Sequence, residues 1–97
     1  MSYHAYGMEV PDEIIESIQR YVEHGIPTGG FLEAVICNNL REAVGRADHK
    51  NILILPAIVS YLYNECPMGC WGTADSFKEW ISRKHGERLA TKDGWIA

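Results

Sequence analysis

Apolar residues recur at helical spacing in four separate stretches of this chain, and that periodicity constrains its fold more than any other feature. Ile14, Ile15, Ile18, Tyr21 and Val22 form one stripe of an amphipathic helix. Pro11 suits its first turn, Asp12 and Glu13 favour its positive end, and Gly25 supplies a left-handed stop, so the spacing predicts a helix over residues 11–24. Phe31, Leu32, Val35, Ile36, Leu40, Ala43 and Val44 continue the pattern over residues 30–45. Thr28 is the expected N-cap there, and Asn38-Asn39 leaves open one bent helix or two short ones. The preceding run, Ile26 to Gly30, reads as a close-packing turn, because it lacks the lysine, hydroxyl residue and strand of a phosphate-binding loop.

The third stretch, residues 51–65, carries apolar residues on two faces: Ile52, Leu55, Val59 and Leu62 on one, Ile54, Ile58 and Tyr61 on the other. That pattern predicts a central, largely buried helix. Pro56 is expected near its start, since a mid-helix proline costs about 3 kcal/mol. In the fourth, residues 73–85, Thr73 caps, Phe77, Trp80 and Ile81 face inward, and Gly86 is the expected stop. Residues 1–10 show no helical period and read as an irregular arm, and residues 87–97 as a polar tail. The predicted fold is all-α, a small irregular four-helix bundle forming one domain over residues 1–97. Its expected core holds Ile15, Ile18, Val22, Phe31, Leu32, Val35, Leu55, Val59, Leu62, Phe77 and Trp80.

Composition narrows the function. With 46% hydrophobic and 23% charged residues the chain can fold alone. Thirteen acidic against nine basic residues give a formal charge of −4, which opposes attraction to nucleic-acid backbones and anionic lipid and favours a basic protein partner. The longest apolar run, Ile52 to Ile58, falls short of the roughly 18 residues a membrane span needs. No secretory leader is read at the N-terminus. Three cysteines, Cys37, Cys66 and Cys70, fit a reducing compartment better than a disulfide framework.

No spaced catalytic motif is present, so the expectation is a binding protein and not an enzyme. His4, His24, His49 and His85 are scattered, and Cys37 sits among apolar neighbours as an inert thiol. Cys66 and Cys70 could ligate zinc with His85 as a third ligand, but no second ligand pair exists; the plain reading packs one under Trp71 and exposes the other. Arg41, Arg46 and Lys50 could line a DNA-reading surface, against which stands the plain reading of a solvated face. Polar residues at the helix junctions, Asn38, Asn39, Arg41, Arg46, Asp48, Asn64 and Glu65, are the expected partner contacts, with helix capping the competing role of Asp48 and Asn64.

The runs Tyr21-Val22-Glu23-His24-Gly25-Ile26-Pro27, Gly30-Phe31-Leu32-Glu33-Ala34-Val35, Asn38-Asn39-Leu40, Arg46-Ala47-Asp48, Tyr61-Leu62-Tyr63-Asn64-Glu65-Cys66-Pro67 and Cys70-Trp71-Gly72-Thr73 resemble a family of small proteins encoded by tailed bacteriophages and prophages. The resemblance spans about residues 11–81; Asn39 stands where relatives often carry aspartate. It implies a product acting in the host bacterial cytoplasm by binding a host protein or ribonucleoprotein complex through a basic surface. A counter-defence inhibitor of the anti-CRISPR kind is the leading expectation. A phage accessory protein in DNA processing or structure, or a zinc-stabilised interaction domain, are the alternatives. No cofactor other than that zinc is expected.

Overall fold

The computed structural model describes residues 3–94. In chain order it has a hairpin of β1 (Tyr3–Ala5) and β2 (Met8–Val10), then α1 (Asp12–His24), α2 (Gly30–Ile36), α3 (Leu40–Arg46), α4 (His49–Glu65), a 3₁₀ turn (Met68–Cys70) and α5 (Ala74–Gly94). The all-α bundle is the observed architecture, with the second predicted segment resolved into two short helices.

That break has a local cause. Asn38 adopts a left-handed conformation, φ 62°, while Asn39 N–H donates to Ala34 O (2.8 Å) and Asn38 N–H to Val35 O (3.0 Å). These are the paired bonds of a Schellman stop, with Asn in the place glycine usually takes. Asn39 then caps α3 by accepting from Glu42 N–H at 3.3 Å. The α2 N-cap is Gly29, not Thr28, whose hydroxyl instead donates to Gly29 O.

The expected irregular arm is a β-hairpin, in which Tyr3 pairs with Val10 and Ala5 with Met8. Tyr6 and Gly7, φ 55° and 73°, make the two-residue turn with both centres left-handed that suits the twist of a hairpin. Tyr3 anchors it to α4 by an edge-on contact with Tyr61 (5.1 Å) and a hydroxyl bond to Ser60 Oγ (3.0 Å).

Pro56 lies inside α4 and not near its start. Asp48 accepts from Asn51 N–H at 2.7 Å and so begins the helix eight residues earlier. The proline ring is on the exposed side, where water can solvate the Ile52 carbonyl that it leaves unbonded. Gly86 likewise fails to stop α5, because no left-handed turn or proline follows and one interior glycine costs only about 1 kcal/mol. Thr73 does cap that helix, accepting from Ser76 N–H at 2.9 Å.

The core joins α1, α2, α4, α5 and the 3₁₀ turn through Ile15, Ile18, Tyr21, Leu32, Ile36, Ile58, Leu62, Cys70, Phe77 and Trp80. Its polar atoms are paired: Tyr21 OH donates to Cys70 O at 2.6 Å, and Trp80 Nε1–H to Val22 O at 3.0 Å and Tyr21 O at 3.2 Å. Tyr21 also stacks on Phe77 at 5.0 Å. Gly25, φ 69°, lets α1 end against α5; a Cβ there would sit 2.6 Å from Lys84 Cβ and 3.2 Å from Ile81 O. Of the expected members, Val22, Phe31 and Val35 are half-buried and pack against this core, and two fall outside it. Leu55 is half-buried, and Val59 is 48% exposed, because α4 turns its other apolar face, Ala57, Ile58 and Tyr61, into the core.

Candidate functional site

Two surfaces of opposite chemistry lie on either side of α4. The first is apolar. Along α4, Ile52, Pro56, Val59 and Tyr63 recur at alternating intervals of four and three residues and make one stripe. Leu40 from α3, Leu55 and Leu62 from α4, Trp71 beyond the 3₁₀ turn and Tyr6 from the hairpin tip wall a groove of about 500 Å³ beside that stripe. Among the described residues no charged side chain lines it. Asn38, Ser60 and Asn64 supply its polar rim, and Asn64 Nδ2 donates to Ser60 O (3.0 Å) and Oγ (3.1 Å). Tyr63 and Trp71 meet at 6.1 Å between ring centres, and Trp71 Nε1 is buried with no acceptor among the described residues.

The second surface is acidic. Asp12, Glu16 and Glu23 fall at intervals that put them in one row along the exposed side of α1, opposite buried Ile15, Ile18 and Tyr21, and Glu13 and Arg20 flank the row. Four carboxylates against one guanidinium give α1 a formal −3 of the chain's −4. The row is roughly 16 Å long at 1.5 Å per residue. Gln19 Nε2–H reaches Tyr61 OH at 3.4 Å, which places α1 on the Tyr61 side of α4. At about 100° per residue, Tyr61 and Val59 point roughly 160° apart. The acidic row and the apolar groove therefore face away from each other.

The predicted contact residues do not form one patch. Asn38 and Asn64 border the apolar groove, while Asn39 and Arg46 line a separate hollow of about 350 Å³ with Gly30, Glu33, Cys37 and Glu42. Arg46 Nε is 2.9 Å from Glu42 Oε2, an exposed pair one turn apart on α3. It packs over Gly30, where a Cβ would come within 2.8 Å of Nη1, in line with the close-packing reading of that turn. Asp48 is an exposed cap, and Arg41 and Glu65 are exposed on α3 and α4. In the sequence Asp12 and Glu13 read as helix-start signals, whereas the spacing of Asp12, Glu16 and Glu23 is the signal for a row.

The thiols separate into two environments. Cys66 and Cys70 are brought together across the 3₁₀ turn, and the Cys66 thiol is pushed well above its ordinary range by its hydrogen bond to Cys70 and then by burial. Burial, followed by the Glu33 carboxylate, raises Cys37. Both directions describe protonated, unreactive thiols, whereas the hydrogen bond with Cys66 lowers the pKa of Cys70, which is fully buried. Among the described residues no group of three or more His, Cys, Asp or Glu side chains could hold a metal ion, so His85 does not complete a three-ligand set with the pair. His4 and His24 are exposed beside Glu9 (3.8 Å) and Glu23 (3.9 Å). Among the described residues no helix is long and apolar enough to cross a membrane. Comparison of the chain with protein-family models, curated proteins and solved structures finds no match.

Proposed function

We propose that this chain is a phage- or prophage-encoded binding protein that occupies a basic surface on a host protein or ribonucleoprotein and inhibits it, a counter-defence inhibitor of the anti-CRISPR kind acting in the host cytoplasm. The observation that carries the reading is the acidic row on α1, where one solvent-facing helix gathers most of the net charge. A row of carboxylates of this length matches a strip of lysine and arginine side chains in a nucleic-acid channel, steers the encounter, and competes with the phosphates that normally neutralise it. The phage setting comes from the sequence resemblance. Occupancy rather than turnover is supported by the chemistry at hand: Cys37 and Cys66 are held as thiols, Cys70 is fully buried, and the histidines lie apart.

Capture from lysate of a bacterial host, followed by titration against each captured nuclease, tests this. Inhibition is expected at about one equivalent of the chain, weakening as salt screens the contact. The double variant Glu16→Lys/Glu23→Lys should lose the captured target while keeping its helical circular dichroism, because both side chains are exposed. Inactivation of a large excess of target by a trace of protein would overturn the reading, as would unchanged capture by the charge-reversed variant.

A further inference from the structure

Helices that are apolar all round belong inside a protein, yet α4 is covered on one side only. Its other side leaves Leu53 and Tyr63 71% exposed, and Leu40 on α3 is 68% exposed beside it. Val44, one turn beyond Leu40, and Ile52, at the far end of the α4 stripe, are 48% and 37% exposed. Large apolar patches on a folded chain mark contact surfaces.

We propose that this face docks a second copy of the chain, with the two α4 helices antiparallel about a two-fold axis. Three observations carry the choice of occupant. The first is area. Together with Tyr6, Pro56 and Val59 these residues expose roughly 800 Å², an upper limit on what each copy could bury and enough to reach the ~600 to 800 Å² per partner of a stable interface. The second is pattern. An interval of four, three and four residues is its own reverse, so an axis midway between Pro56 and Val59 sets each Pro56 on the Val59 of the other copy and each Ile52 on its Tyr63. A groove walled by Leu40, Tyr63 and Trp71 flanks that seam and receives the partner's projecting side chains, the self-complementarity that a two-fold contact requires.

Charge is the third. A chain of formal −4 repels its own kind wherever its acids meet, but among the described residues no charged side chain lines the groove, and the α1 carboxylates lie on the opposite side of α4. Antiparallel pairing also brings the α4 end with His49 and Lys50 beside the end with Glu65, and opposes the two helix dipoles. The dimer would present two acidic rows outward, leaving the proposed host contact free.

Sedimentation equilibrium of the full-length chain tests the pairing. The mass is expected to rise from 11.0 kDa toward twice that value as concentration increases to about 100 µM, and to stop there. Tyr63→Lys, at an exposed position, should keep the helical circular dichroism and raise the dissociation constant by at least about thirtyfold. Val59→Glu, in the middle of the seam, should do the same. Glu16→Lys/Glu23→Lys should leave the dimer intact, which separates failure here from failure of the host-contact reading. A chain that stays at 11.0 kDa at every concentration overturns the proposal, whether or not vesicles or another protein cover the face instead. So does a Tyr63→Lys variant that sediments like the parent, or a mass that climbs without limit.

Discussion

Helices α1 and α4 are built from similar apolar residues at similar intervals, and the fold uses them differently. In α1 every large apolar side chain faces the core and the acids take the outer side, so one sequence pattern yields one buried stripe. In α4 the apolar residues encircle the axis, and the core has room for Ala57, Ile58, Tyr61 and Leu62 but not for Val59 or Tyr63. Hydrophobic spacing specifies a helix in both cases. It specifies a buried face only where a polar face is present to define the other side. The surplus apolar face of α4 is surface chemistry, and it differs in kind from the charge surface of α1.

The sharpest way to break this contrast is to cut back two adjacent residues of α4. Ile58 is fully buried, so Ile58→Ala is expected to cost about 2 to 5 kcal/mol in denaturant unfolding. Val59→Ala, measured at low chain concentration, should cost less than about half a kcal/mol. Equal losses would mean that α4 is buried on both sides.

Pro56 offers a second test, with the opposite sign. It interrupts α4 at an exposed position, where it removes the bond to the Ile52 carbonyl without filling any space in the core. Pro56→Ala should raise stability by about 1 to 3 kcal/mol in the same unfolding assay. A loss instead would mean that the proline itself is needed to seat Ile58 and Tyr61.

These two residues also mark how far the sequence was legible. The helical segments could be read because each has an apolar stripe and most have a stop or cap, as with Gly25, Asp48 and Thr73. Val59 reads as core in sequence and is exposed in the fold, because nothing in a two-faced apolar pattern says which face the neighbours will cover. Pro56 was placed near the helix start because its local cost is visible in sequence, whereas the Asp48 cap and the packing that offset it come from elsewhere. The hairpin went unread since its strands have three residues each and Tyr-Gly is not the usual turn pair, although the alternation of Tyr3, His4, Ala5 and of Met8, Glu9, Val10 between half-buried or buried and exposed positions carries the period of two. At the candidate site, the residues singled out were polar ones at junctions, and folding divided them between two hollows and a cap. The acidic row needs one helix to be put in place, whereas the apolar groove needs the hairpin, α2, α3, α4 and the segment after the 3₁₀ turn.

Tyr21, on the inner side of α1, gives a test through pH. Its phenol donates to Cys70 O, and burial first, then the nearby Cys70 and Cys37, raise its pKa above the ordinary value of 10.0. A group whose folded-state pKa is raised contributes its stability in full below the unfolded value and loses it as pH climbs toward the folded one. The chain should therefore lose stability progressively above pH 10. Tyr21→Phe should cost about 1 to 3 kcal/mol at neutral pH, because the Cys70 carbonyl loses its buried donor. The gap between variant and parent should then narrow above pH 10. A gap that stays constant to strongly alkaline pH would show that the phenol ionises as freely in the folded chain as in the unfolded one.

The smallest expected effects separate the two helices at their first turns. Helix α4 starts on a side-chain cap, Asp48 Oδ1 accepting from Asn51 N–H at 2.7 Å. Helix α1 starts on Pro11, which has no side chain to offer; the Pro11 carbonyl accepts from Ile14 and Ile15 N–H, and Asp12 and Glu13 sit at the positive end of the dipole. Asp48→Ala should cost about 1 kcal/mol, since it strips an orphan amide of its acceptor, and Asp48→Asn only a few tenths, since the amide oxygen still caps. Glu13→Gln should cost about 0.3 to 0.5 kcal/mol at low ionic strength, because it removes a charge from the helix end and no hydrogen bond. Salt tells the two mechanisms apart. A short hydrogen bond survives screening, so the Asp48→Ala loss should persist at 1 M salt, where the Debye length falls to about 3 Å and the Glu13→Gln loss should vanish. Should both losses fade together, α4 would begin by electrostatics as α1 does, and the difference between the two helices would be confined to their outer faces.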